Sequence, residues 1–295
     1  MLSSLKRKRG SRLDASTVAR ADGKTQGYLK NKGPLIALTR PKEGRRKIML
    51  IDAGQLMGYV LKVEGGELGR CKDFLVDDRD WTVRYVVADT GIWLPGRKVL
   101  LPPGTVQDPD FSGRRLPVKL TREQILASPP LEEHSALSRQ YENRWCEYYR
   151  ISPYWQEEDK IRVAEIPTAA PGAKTPPEMK DKNKAPVFSV SALTGATVVA
   201  SDGDIGHLAD VLVDLKTWKV RYAIVDTRNW LPGKQVCVSI TCVDWADPVK
   251  HRIGLALSRE KIKNSPEYNP LVPVTEEYQV VLHDYYGWPK YWEGL

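Results

Sequence analysis

DFLVDDRDWTVRYVVADTGIWLPG (residues 73–96) returns 137 positions later as DVLVDLKTWKVRYAIVDTRNWLPG (residues 210–233), with 14 identities in 24 positions. The same offset carries Gly58–Trp155 onto Gly195–Trp292 without a gap. A repeated unit near a hundred residues is too long for a solenoid turn and has the size of a small domain. The chain of 295 residues therefore reads as one small domain written twice. The positions kept in both copies are Asp73/Asp210, Asp77/Asp214, Trp81/Trp218, Arg84/Arg221, Tyr85/Tyr222, Asp89/Asp226 and Trp93/Trp230.

Inside the repeat the pattern is one of short strands. Met57–Val63, Leu68–Asp77, Val83–Asp89, Arg97–Leu101 and Leu116–Leu120 are apolar or alternating runs. Gly-rich or Pro-Gly turns such as Glu64–Glu67 and Trp93–Gly96 separate them. In Val83–Asp89 the residues Val83, Tyr85 and Val87 read as the core face, and Arg84, Val86 and Ala88 as a weakly polar outer face. Regularly spaced short strands predict a small antiparallel barrel. Each barrel then leads into helix. Thr121 and Ser258 are N-cap hydroxyls with an acid in the first turn, and Ser128-Pro129 and Ser265-Pro266 are stops. A second helix places Tyr141, Trp145 and Tyr148, and in the other copy Tyr278, Leu282 and Tyr285, at helical spacing. The copies end on Tyr154-Trp155 and Tyr291-Trp292.

The expected fold is thus mainly β: two tandem antiparallel barrels, each followed by short helices. The expected boundaries are a basic leader at 1–48, a first repeat at 49–156, a Pro- and Lys-rich linker at 157–186 and a second repeat at 187–295. The aromatic tail residues Tyr141, Trp145, Tyr154, Trp155, Tyr278, Tyr285, Tyr291 and Trp292 are expected to form an interface that joins the barrels into a pseudo-dimer.

Charge is unevenly placed. Residues 1–47 hold 14 Lys/Arg against three acids, so the remainder carries 8 − 11 = −3 of the net +8. Such a leader has too few apolar groups to offset chain entropy. Its Lys6-Arg7-Lys8-Arg9 run suits phosphates or anionic lipid. No 18-residue apolar run predicts a membrane helix. The four cysteines do not recur at matching positions, which points to reduced thiols and an intracellular, cytoplasmic setting.

Catalytic and cofactor patterns are lacking: no G-x-S-x-G, no P-loop and no H-E-x-x-H. Cys237 and Cys242 lack zinc-knuckle spacing, and His134, His207, His251 and His283 have no histidine at the matching positions, so they read as surface residues. No metal or cofactor is expected. The paired aspartates could serve acid–base chemistry or a cation, but read first as turn caps that pair with Arg84 and Arg221. Trp81/Trp218 and Trp93/Trp230 could stack bases, but the net acidic repeats favour packing.

The residues Gly58, Gly66–Gly69, Asp73–Asp77, Trp81–Asp89, Trp93–Gly96 and Val99 resemble the PRC-barrel family. Gly195, Asp202–Gly206, Asp210–Asp214, Trp218 and Trp230–Gly233 carry the resemblance a second time. That family is named after the cytoplasmic domain of the photosynthetic reaction centre H subunit and includes a barrel of a ribosome maturation factor. The resemblance implies fold more than function. It carries over no proton-path residue, and this chain departs from the H subunit in lacking the N-terminal membrane helix and in having two barrels. The expected function is a non-enzymatic binding or assembly module with protein partners. Membrane-surface association through the leader would place it at the inner membrane face. A reaction-centre accessory role and an RNA- or ribosome-linked role stay open as alternatives, with nucleic acid disfavoured by the acidic repeats.

Overall fold

The structure is a computed structural model that describes residues 49–91, 97–131, 137–156, 186–227 and 234–293. The leader, most of the linker, and Trp93 and Trp230 lie outside the described residues.

The predicted strands form with small shifts at their ends. In the first half they are β2 (Val60–Glu64), β3 (Gly66–Asp77), β4 (Val83–Asp89), β5 (Lys98–Leu101) and β6 (Arg115–Thr121), joined by two short strands the sequence reading lacked, β1 (Leu50–Asp52) and β7 (Pro130–Leu131). The second half supplies β8 (Val187–Ser189), β9 (Thr197–Ala200), β10 (Gly203–Asp214), β11 (Lys219–Asp226), β12 (Gln235–Ser239), β13 (Val243–Asp247) and β14 (Arg252–Leu255). Helices are short: α1 (Ala53–Leu56), α2 (Arg122–Ala127), α3 (Arg139–Tyr149), α4 (Val190–Leu193), α5 (Arg259–Lys263) and α6 (Glu276–Tyr286). Thr121 and Gln124 close a capping box on α2, and the Ser258 hydroxyl caps α5.

Two sheets result, ordered β6-β2-β3-β4-β5-β7 and β12-β11-β10-β9-β14-β13. They are largely antiparallel, with one parallel pair each, β2 with β6 and β9 with β14. The barrel expectation needs a correction, because neither strand path closes on itself by backbone pairing among the described residues.

The remaining strand of each sheet comes from the other half. β1 pairs with the C-terminal end of β10, Leu50 opposite Asp214 and Asp52 opposite Leu212. β8 pairs with the C-terminal end of β3, Val187 opposite Asp77 and Ser189 opposite Leu75. Every partner differs by the sequence offset of 137, so the exchange is reciprocal and two-fold in kind. One hydrophobic core follows from it: Ile51, Phe74, Val86 and Leu116 belong to the same buried cluster as Phe188, Val198, Val213 and Ile253. Residues from Arg46 to Leu295 accordingly make one compact unit, although the sequence reads as two domains. A barrel of this size buries little alone, and merging two cores raises the buried fraction.

The faces of β4 also differ from the alternation reading. Val86 and Ala88 point into the shared core, while Tyr85 and Val87 pack under α3 with Leu100, Tyr141 and Trp145. Both faces of the strand are therefore covered, and its polar character comes from the half-buried Arg84 and, at its end, Asp89.

Candidate functional site

A bulge at the same place in β3 and β10 skips Lys72 and Ala209 and re-aims the aspartate that follows. Asp73 accepts hydrogen bonds from the Ser191 backbone N–H (3.2 Å), the Ser191 hydroxyl (2.6 Å) and the Ser189 hydroxyl, all on the exchanged segment. Asp210 accepts from the Gly54 N–H at 2.8 Å, again on the exchanged segment. Each carboxylate thus satisfies an open donor in the first turn of a helix from the other half. The second copy of this junction is more acidic, because Asp52 stands where the first has Ser189. Asp52 accepts from the Tyr268 hydroxyl at 2.6 Å. Burial, with the nearby Asp52 charge, pushes the Asp210 carboxyl up to about 6.

Trp81 and Trp218 sit at the centre of the junction. Both have left-handed backbones, φ 56° and 57°. For a bulky side chain this costs roughly 1–2 kcal/mol and persists only where packing imposes it. The packing is visible: Val83 N–H donates to the Trp218 carbonyl (2.7 Å) and Val220 N–H to the Trp81 carbonyl (2.8 Å), tying the two turns together. The Trp81 indole meets Phe188 edge-on at 5.0 Å, and Trp218 lies 6.3 Å from Phe74.

Behind each tryptophan turn stands an Asp–Arg–Tyr frame. Asp77 is fully buried and takes hydrogen bonds from Arg79 and from Arg84 Nε (3.1 Å). Burial alone would raise its pKa, but the bonds and charges of Arg79 and Arg84 hold it below the usual carboxylate range. Asp214 holds Arg221 more loosely, at 3.4 Å, and the buried Arg221 Nε has no hydrogen-bond partner among the described residues. Each arginine stacks on the tyrosine of the tail, Arg84 on Tyr154 and Arg221 on Tyr291, both at 4.1 Å. Asp89 and Asp226 lie apart from this frame, at the far ends of β4 and β11. There their backbones run against Gly69 and Gly206, where an added Cβ would fall 1.8 and 2.0 Å from a carbonyl oxygen.

The tail aromatics pack mainly on the sheet of their own half, and meet the other half at its exchanged strand, Val187 in the first cluster and Leu50 in the second. Tyr141 and Trp145 are buried on the first sheet with Trp155 packed beside them, and Trp155 lies 4.0 Å from the Arg139 guanidinium. Tyr278 and Tyr291 pack on the second sheet, where Trp292 meets His283 at 4.7 Å. Tyr285 spans from α6 to the Lys261 carbonyl (2.8 Å). Tyr154 donates to Glu142 at 3.0 Å, as does Tyr85 at 2.6 Å. At the matching place Tyr291 donates to Gln279 at 2.7 Å, while the Tyr222 hydroxyl bonds His283 Nε2 at 2.7 Å and has the Gln279 oxygen farther off at 3.3 Å. His283 is therefore buried, not the surface residue the sequence suggested. The four cysteines are free, and three are buried.

Between frame and tail each half opens a pocket, and sequence reading missed both. The first, of about 370 Å³, lies between β4, the 3-10 turn Pro103–Thr105 and the chain after α3. The second, of about 210 Å³, lies between β11, the 3-10 turn Ile240–Cys242 and the chain after α6, with Asp80 of the first half at its wall. Ten lining positions correspond at the 137 offset. Four are the same residue: Val83/Val220, Arg84/Arg221, Tyr85/Tyr222 and Tyr154/Tyr291. All six others differ, among them Pro102/Ser239, Gly104/Thr241, Cys146/His283 and Ile151/Trp288. The retained Arg and Tyr of both copies were the only signal in the sequence for this location.

The PRC-barrel domain model matches residues 186–260, which run from the start of β8 to the start of α5, so the second half holds a PRC-barrel domain. Among curated proteins, none matches this chain. No described helix is long and apolar enough to cross a membrane.

Proposed function

We propose that this protein is a non-enzymatic binding or assembly module, with a second PRC-type unit in the first half and protein partners held at the side pockets. The observation that carries this reading is the split between constant frame and variable wall. Arg and Tyr are the same in both pockets and are spent on one another and on the aspartate behind them, in stacking and hydrogen bonds. The other lining positions have diverged within one chain, among them Pro, Gly, Cys and Ile to Ser, Thr, His and Trp. Rigid scaffolds with variable rims are a common way to present two different binding surfaces.

The test is site-specific photocrosslinking in the intact chain. A photoreactive residue at Ser152, on the rim of the first pocket, is expected to give discrete protein adducts in the native cell. The same group at Val249, 94% exposed and remote from both pockets, is expected to give none of those bands. Adduct patterns that are identical at both positions would sink the proposal.

A further inference from the structure

The second pocket carries its own stopper. Trp288 follows α6 and stacks on Tyr286, ring centroids 4.0 Å apart and planes at 9°. Its side chain packs against the core together with Ile240 and Cys242 of the 3-10 turn. The ring thus bridges the two walls of the pocket, tail on one side and turn on the other. The matching position in the first half is Ile151, and Cys242 is matched by Thr105. The backbone there is the same: Ile151 N–H bonds the Cys146 carbonyl at 3.0 Å, as Trp288 N–H bonds the His283 carbonyl at 3.0 Å. Aromatic mass in the first half sits lower, at Trp145, whose N–H is used by the Leu100 carbonyl (2.8 Å) and whose ring meets Tyr85 edge-on at 4.7 Å. The first pocket therefore has an aromatic floor and an open mouth. It is the larger of the two, and Ile151 at its rim is 39% exposed.

We infer that the first pocket is a binding site for a planar aromatic ring of about indole size, entering where Trp288 lies in the other half. The inference rests on the binding-module reading and specifies the chemistry of one site. The ring would lie between Ile151 and the Pro103–Thr105 turn, over Trp145, in offset or edge contact with the floor. An edge donor on the ring would meet the Thr105 hydroxyl, whose own proton is given to the Pro102 carbonyl at 2.7 Å, leaving its lone pairs as acceptors. The ring has two sources, an aromatic side chain on a partner or a free heteroaromatic molecule.

The experiment uses the full chain and 5-fluoroindole, followed by fluorine NMR line broadening, with an acetylated Gly–fluoro-Trp–Gly peptide as the second arm. Binding with a dissociation constant of about 1 mM or tighter is expected for at least one probe. Ile151→Trp, which places the other half's stopper in this pocket, is expected to weaken it at least fivefold while the melting temperature is kept. Should Ile151→Trp melt early, Gly104→Leu serves instead, since a Cβ there meets no atom within 4 Å. A peptide that binds more tightly than fluoroindole assigns the ring to a partner's side chain, and the reverse order assigns it to a small molecule. No broadening with either probe, or equal binding by the blocked variant, overturns the inference. Specific adducts from Ser152 together with such a failure would leave the binding-module reading standing and remove only the ring chemistry.

Discussion

The two halves use one backbone plan and opposite chemistry beneath their tails. In the first, Glu142 is fully buried, receives Tyr85 and Tyr154, and pairs with Arg139 at 2.7 Å. In the second, the same two tyrosines meet neutral Gln279, with His283 as a further acceptor. Burial moves the Glu142 carboxyl up and the His283 imidazole down, so both groups are driven towards their neutral forms. His283 Nδ1 faces the Pro289 carbonyl at 2.9 Å, which makes Nδ1 the donor and leaves Nε2 to accept from Tyr222. A hydrogen-bond geometry can thus be kept while charge is removed, because carboxylate and amide oxygens both accept from a tyrosine hydroxyl, the amide more weakly.

The largest effect should come from breaking what the halves share. Phe188 belongs to the second half by sequence, but packs against Trp81 of the first. Phe188→Ala is expected to cost about 3–4 kcal/mol, the usual toll of removing a buried aromatic ring. Denaturant unfolding should shift as one transition, since the core is common. Two transitions of which only one moves would show that the halves unfold independently.

An exchange of the two polar centres should give intermediate effects of unequal size. Gln279→Glu places a carboxylate among tyrosines where the counterpart of Arg139 is Glu276. It should destabilise by about 2–4 kcal/mol at neutral pH, as an unpaired buried charge does. The loss should shrink on acidification as the new carboxyl takes up a proton. Glu142→Gln should cost only about 1 kcal/mol, because loss of the Arg139 pair is offset by relief of a buried charge. Equal costs for the two variants would mean that Arg139 contributes nothing to the difference between the halves.

The junction should show the one gain of the set, smaller than the loss from the shared core and opposite in sign. Asp210 has a native-state pKa of about 6 against 3.8 for the free group. The folded state therefore holds the proton more tightly, and stability falls as pH rises from about 4 through 6. Asp210→Asn keeps an acceptor for Gly54 and removes the charge facing Asp52. It should stabilise the chain by about 1–3 kcal/mol at pH 7.5, with little difference below pH 4. Thermal melts of both proteins across that range give the answer. A destabilising substitution at pH 7.5 would show that the ionised carboxylate is needed to hold the exchanged helix.

Much of the local structure was legible because it depends on near neighbours in the chain. The hydroxyl caps at Thr121 and Ser258 announce helices through a bond spanning three residues, and those helices are present. Tyr141 and Trp145, four apart, predicted the buried stripe of α3. The pockets were not legible, since their walls come from a strand, a 3-10 turn and a tail that meet only after folding. The role of Asp73 was likewise hidden, because its partners Ser189 and Ser191 lie more than a hundred residues away.

By itself the sequence determined the repeat, the strand and helix order within it, the buried aromatic stripes and the pairing of Asp77 with Arg84. All of these follow from spacing along the chain. Only the tertiary structure decided which edge takes β1 and β8. The C-terminal edges of β3 and β10 carry the same residues, Leu75-Val76-Asp77 and Leu212-Val213-Asp214, so a three-residue strand fits either by pattern. What selects the exchange is the geometry of the whole. Crossing over lets Asp73 and Asp210 cap helices of the opposite half, holds two tryptophans in left-handed turns back to back, and merges two small cores into one.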